Sequence, residues 1–132
     1  MELKGSKTEH NLKTAFEIEK GQAAKYAQYA KQAEAAGDDK TAKTLNELSG
    51  DQAAYADIWM QTLIGGTISD TVGMLSEGIA DAGVKWEKMY QAFANDAQKE
   101  GFEDLAKQFE EIANKTHMSQ DLLKEVVSGQ VK

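Results

Sequence analysis

No cysteine occurs among the 132 residues of this sequence. Disulfides, zinc ribbons, iron-sulfur clusters and thiol nucleophiles are thereby excluded together, and any redox chemistry within these residues needs other ligands. Proline is absent as well, alanine is abundant, and the glycines gather at a few points. This is the composition of long helices joined by short turns. No stretch approaches the roughly 20 apolar residues of a membrane span, and the opening Met1 to Lys7 has no apolar signal core. A cytoplasmic protein with no membrane partner is the expectation. Positive charge is also scarce: 15 Lys and Arg stand against 22 Asp and Glu, a formal charge of -7, with the basic residues scattered. No nucleic-acid partner is expected, and the acidity reads as a solvated surface.

What is present predicts one all-α domain over residues 1–132, built from four helices. The first opens at Ser6, with Glu9 at capping-box spacing, and stops at Ala35-Ala36-Gly37. The second begins near Asp38-Asp39 and ends at Gly65-Gly66. The third starts between Thr67 and Asp70 and continues to Glu100-Gly101, and the fourth fills roughly Phe102 to Ser128. Steps of three and four residues place core stripes on each helix. They are Leu12, Phe16, Glu19, Ala23, Tyr26, Ala30 and Ala33 on the first; Leu45, Leu48, Gln52, Tyr55, Trp59 and Leu63 on the second. The third carries Leu75, Ile79, Ala82, Trp86, Met89, Phe93 and Ala97, and the fourth Leu105, Phe109, Ile112, Thr116, Ser119, Leu123 and Val126. Polar residues interrupt these stripes at mid-height: Glu19, Gln52 with Tyr55, and Thr116 with Ser119.

The two halves resemble each other. A displacement of 64 residues brings Tyr26 onto Tyr90, Ala30 onto Ala94, Ala33 onto Ala97, Gly37 onto Gly101, Ala42 onto Ala106, Lys43 onto Lys107 and Glu47 onto Glu111. Matched glycines that close helices and matched aromatics on core stripes favour a duplicated helical hairpin, about 6–64 and 67–128.

The opening Leu3-Lys4-Gly5-Ser6-Lys7-Thr8-Glu9, with Asn11-Leu12 and Ala15-Phe16, is similar to the start of rubrerythrins. Tyr26 with Ala30, Gly65-Gly66-x-x-x-Asp70-Thr71, Trp86-x-x-Met89-Tyr90-x-x-Phe93-Ala94, Glu100-Gly101-Phe102 and Ile112-Ala113 continue the resemblance in order along the chain. It implies a ferritin-like four-helix bundle. It also implies a two-iron peroxidase centre held by a carboxylate on the first helix, Glu-x-x-His on the second, Glu-x-x-Glu on the third and Glu-x-x-His on the fourth. Such proteins usually pass electrons through a small cysteine-bound, rubredoxin-like domain, which a sequence without cysteine does not contain.

Only Glu19 matches that ligand set. The other former ligand positions fall on Gln52 and Tyr55, Ala82 and Lys85, and Thr116 and Ser119. A two-iron site needs several anionic oxygens and imidazole nitrogens, which one glutamate does not supply. His10, near a helix start, and His117, one step off the core stripe, read as surface residues. The expectation is a degenerate site with no cofactor and no peroxidase activity, in a binding or structural module. The alternative is a divergent oxidoreductase or metal-binding protein holding iron or manganese through Glu19 and unusual ligands, or at an acidic cluster such as Asp51 or Asp81. A stripped bundle whose polar core positions only record ancestry is the third reading. Tyr26, Tyr55 and Tyr90 read as core tyrosines rather than as a radical-quenching shell.

Two structural questions follow. Lys85 either turns inward to pair with Glu19, with Gln52, Tyr55 and Thr116 completing the hydrogen bonds, or extends to solvent. Ferritin-like folds also carry a long crossover between the second and third helices. The link from Gly65 to Ser69 reaches only about 17 Å at roughly 3.5 Å per residue. A helix of some 26 residues is about 39 Å long. A homodimer that swaps hairpins is therefore expected, against a monomeric up-down-up-down bundle.

Overall fold

The computed structural model describes residues 2–68 and 70–131. Without proline to break them, the helices run long: α1 spans Lys7–Ala35, α2 Asp39–Thr67, α3 Thr71–Val84, α4 Tyr90–Lys99 and α5 Glu103–Val131. A π-helical turn, Lys85–Met89, joins α3 to α4 without a break, so Thr71 to Lys99 is one helical run. The Tyr90 N–H reaches back to the Lys85 carbonyl, five residues earlier. Among the described residues there is no strand, and the all-α, four-helix expectation holds. The chain divides into two compact units, one holding α1 and α2, the other α3, α4 and α5. Each is a helical hairpin.

Capping explains where the helices begin. The Ser6 hydroxyl accepts from the Glu9 N–H at 3.0 Å, and the Glu9 carboxylate accepts in turn from the Gly5 N–H at 2.9 Å. Asp38 caps α2 through the Thr41 N–H, and Asp70 caps α3 through the Gly73 N–H at 2.7 Å. Thr67 is thus not the start of the third helix: it is the last residue of α2, its hydroxyl donating to the Leu63 carbonyl. Gly65 and Gly66 do not end α2 either, because the helix runs through both. At Gly66 a side chain would collide with Leu3, whose Cδ2 lies 2.5 Å from the position of a Cβ, so this glycine admits the N-terminal arm. Ser69, in the expected link, lies outside the described residues.

Both hairpin turns use the same device. Gly37 (φ 80°) and Gly101 (φ 88°) adopt the left-handed conformation that glycine tolerates. Asp38 N–H then bonds the Ala33 carbonyl and Phe102 N–H the Ala97 carbonyl, the two long bonds of matching Schellman turns. The 64-residue displacement extends to every helix boundary: Lys7 recurs as Thr71, Ala35 as Lys99, Asp39 as Glu103 and Thr67 as Val131.

Small residues hold each hairpin together. On α2, Ala42, Ser49, Ala56 and Leu63 recur every seven residues and form a seam against α1, where Ala23 and Ala30 are buried. The Ser49 hydroxyl donates to the Ala23 carbonyl across that seam at 2.7 Å. On α5, Ala106, Ala113 and Gln120 repeat the spacing, with Ala82, Ala94 and Ala97 buried in the same hairpin. Such residues let two backbones approach closely, and Gly78 and Gly83 extend the effect, a Cβ there meeting Leu123 at 3.1 Å and Gln120 at 2.8 Å.

This seam corrects the expected core. Leu48, Tyr55, Phe93, Leu105, Ile112 and Val126, all read as core positions, are exposed. Two helices cover only one stripe of each other, and the alanine stripe takes that contact, leaving the larger apolar residues beside it uncovered.

Candidate functional site

Glu19 and Gln52 meet in the first hairpin. Glu19 precedes the buried Ala23 by one turn of α1, and Gln52 lies between the seam residues Ser49 and Ala56 of α2, so both side chains emerge beside the seam, half-buried. With the amide oriented on hydrogen-bonding grounds, Gln52 Nε2 donates to Glu19 Oε2 at 2.6 Å and to Oε1 at 3.2 Å. A neutral donor thus satisfies the one carboxylate that matches the expected ligand set. Tyr55, one turn beyond Gln52, is 47% exposed.

In the second hairpin, Ala82 is buried and has no ligand atom, and Thr116 is buried on α5. Ser119 is exposed and its hydroxyl donates to the Lys115 carbonyl of its own helix at 3.1 Å. Lys85 opens the π turn and is exposed. Turns of this kind occur often at functional positions in helices.

Sequence reasoning missed Gln120. Its amide is buried and bonded at both ends: Nε2 donates to the Ile79 carbonyl at 3.0 Å, and Oε1 accepts from the Trp86 indole N–H at 2.9 Å. The signal was available, because Gln120 follows Ala106 and Ala113 at seven-residue spacing. Beside it His117 stacks on Trp86, ring centroids 4.0 Å apart and planes inclined by 18°. His117 Nε2 also lies 3.9 Å from Asp121. His10 is exposed at the start of α1, as expected.

One titrating group is displaced from its ordinary value. The Thr41 hydroxyl, donating at 2.7 Å, and then the Thr41 N–H hold the Asp38 carboxyl below 3.8. That is cap chemistry at the start of α2, fourteen residues before Gln52.

Of the seven positions at which the resemblance expects ligands, Glu19 alone carries an anionic oxygen, and with the amide oriented on hydrogen-bonding grounds the Gln52 N–H₂ faces it. Gln52, Tyr55, Thr116 and Ser119 offer neutral atoms, Ala82 none, and Lys85 a positive charge. Among the described residues, no three Asp, Glu or His side chains gather as a metal would require, Asp51 and Asp81 included. Also among these residues, no helix is long and apolar enough to cross a membrane.

No protein-family model matches the chain. It is similar to rubrerythrin from Porphyromonas gingivalis, 30% identical over 122 residues that cover 84% of this chain and 61% of that relative. It is likewise 30% identical to rubrerythrin from Nitratidesulfovibrio vulgaris, over 122 residues that cover 84% of this chain and 64% of the relative. The chain therefore spans about three fifths of the length of the curated relatives it matches.

Proposed function

We propose that this chain, similar to rubrerythrins over 84% of its length, carries a degenerate two-iron site, performs no peroxidase chemistry and acts as a binding or structural module. One observation carries this reading: an amide atom of Gln52 lies 2.6 and 3.2 Å from the two oxygens of Glu19, a geometry that hydrogen bonding assigns to Nε2 as donor. A carboxylate engaged that way is already hydrogen-bonded, and a cation would first have to displace or turn the amide. The remaining positions supply neutral or cationic groups, so charge balance for two metal ions is lacking.

The same pair supports a second reading. A glutamine turned the other way would aim Oε1 at the carboxylate, and two oxygens that close need a cation or a proton between them. Glu19 and Gln52 would then be two oxygen ligands of one weakly bound iron or manganese ion.

Elemental analysis of protein expressed in medium supplemented with iron and manganese, with thermal melts in the presence and absence of chelator, separates the two. The proposed module contains substoichiometric metal and melts identically in both conditions. Near-stoichiometric iron or manganese with a chelator-sensitive melt overturns it and establishes the metal-binding reading.

A further inference from the structure

We propose that residues 2–5 form a releasable strap within the first hairpin, fastening the start of α1 to the end of α2 and opening together with the α1 cap. The inference begins with two adjacent glycines that are treated differently. A Cβ at Gly65 would meet nothing within 4 Å, whereas a Cβ at Gly66 would stand 2.5 Å from Leu3 Cδ2 and 3.1 Å from Leu3 Cβ. Gly66 is therefore a notch in the last turn of α2, and the Leu3 side chain fills it. Glycine weakens a helix interior relative to alanine, so the notch is a local loss of helix stability that the plug offsets. Glu2 and Lys4 share the groove that Leu3 makes with the Gly65 to Ile68 turn.

The strap is tied to the helix it precedes. The Leu3 carbonyl accepts from the Ser6 N–H at 3.0 Å and from the Ser6 hydroxyl. That hydroxyl accepts from the Glu9 N–H, and the Glu9 carboxylate accepts from the Gly5 N–H. Gly5 makes the bend between plug and cap in left-handed backbone, φ 82°. The groups that begin α1 thus aim Leu3 at Gly66, and moving Leu3 disturbs the cap. The attachment to α2 is of another kind. Among the described residues, every hydrogen bond of residues 2–5 stays within residues 3–9, so one apolar side chain in a notch fastens the arm to α2. Lys4 adds a positive charge beside a helix end that has no basic residue in its own last turn, where it complements the helix dipole. Such a contact opens without breaking the hydrogen-bond ladder of either helix. Whatever draws the arm away is therefore felt at once at the start of α1 and at the end of α2. None of this depends on whether the Glu19 and Gln52 pair binds a metal.

Nuclear magnetic resonance reads the two ends separately: the proximity of the Leu3 methyls to the Gly66 α-protons reports the plug, and amide exchange at Glu9 reports the cap. Gly66→Ala is expected to abolish the proximity and to speed Glu9 exchange about tenfold, the order of effect that losing one buried leucine carries. Tryptic cleavage after Lys4 should accelerate in parallel. Gly65→Ala is the control, because its methyl meets open space and alanine favours the helix, so plug and cap are expected to stay as in the original protein. Leu3→Ala opens the strap with the notch untouched, and stands in should Gly66→Ala impair folding. Ser6→Ala leaves both notch and plug in place and is expected to weaken the Leu3 to Gly66 proximity through the cap alone. Unchanged Glu9 exchange in Gly66→Ala or Leu3→Ala overturns the strap, as does a Gly65→Ala protein that opens like Gly66→Ala. A Ser6→Ala protein with its plug fully seated overturns the joint opening.

Discussion

Gln120 Oε1 accepts the Trp86 indole N–H at 2.9 Å while its Nε2 donates to the Ile79 carbonyl. One buried amide thereby ties α5 to α3 on one side and to the π turn on the other. A neutral hydrogen bond contributes about 1 kcal/mol net, but a buried acceptor stripped of its donor costs about 1–3 kcal/mol.

Trp86→Phe is therefore expected to destabilise the protein by about 1–3 kcal/mol, since Gln120 Oε1 loses its donor and the phenyl ring fills less space. Gln120→Met in the same background should recover part of that loss by removing the orphaned oxygen. Urea unfolding followed by circular dichroism measures both. A double variant less stable than Trp86→Phe alone would show that the hydrogen bond to Ile79 outweighs the orphaned acceptor.

The Glu19 and Gln52 pair predicts a similar asymmetry. Gln52→Leu leaves a half-buried carboxylate without its donor and is expected to cost about 1–2 kcal/mol at neutral pH. Glu19→Leu with Gln52→Leu should be more stable than the single variant, because no carboxylate is then left without its donor. Thermal melts of the three proteins decide the order.

Glycine substitutions should divide by backbone conformation. Gly37→Ala and Gly101→Ala force alanine into left-handed backbone and are each expected to cost about 1 kcal/mol. Gly21→Ala and Gly50→Ala sit inside α1 and α2 with open space around the added methyl, and should stabilise by up to about 1 kcal/mol. Opposite signs in denaturant midpoints would bear this out.

Acid should weaken the start of α2. The folded-state carboxyl of Asp38 titrates below 3.8, its unfolded value, because Thr41 bonds the ionised form. Its contribution is fully present above pH 3.8 and is lost as the pH falls through the depressed folded value. Asp38→Asn keeps a capping oxygen but removes the titration. Melting temperatures of the two proteins, compared at neutral pH and below pH 3.8, should converge in acid.

Helix starts and turns were the most legible features. Ser6 with Glu9, Asp38, Gly37 and Gly101 act locally, through side chains and backbone angles readable within four residues, and the structure has each in its expected role. Gly65 and Gly66 misled, because glycine weakens a helix without ending it and Leu3 packs where a Cβ would stand. In the core, steps of three and four residues located the apolar stripes but did not rank them. Alanine won the contact inside each hairpin and left Leu48, Leu105 and Ile112 outside, a competition between close approach and buried area that periodicity does not express. At the site, the Glu19 and Gln52 bond was foreseeable from neighbouring stripes. The seven-residue spacing signalled that Gln120 is buried, but not its bridge, because its partners Ile79 and Trp86 and the room left by Gly83 lie on another helix.

The π turn has a consequence for molecular self-recognition. Two hairpins of matching helix lengths and turns offer alternative registers for pairing like with like. One additional residue in a helical turn shifts the helix phase by about 100°, so beyond the π turn buried Ala94 matches buried Ala30, whereas before it buried Ala82 falls on exposed Ile18. Two halves that share every boundary are thus told apart by a single residue of winding.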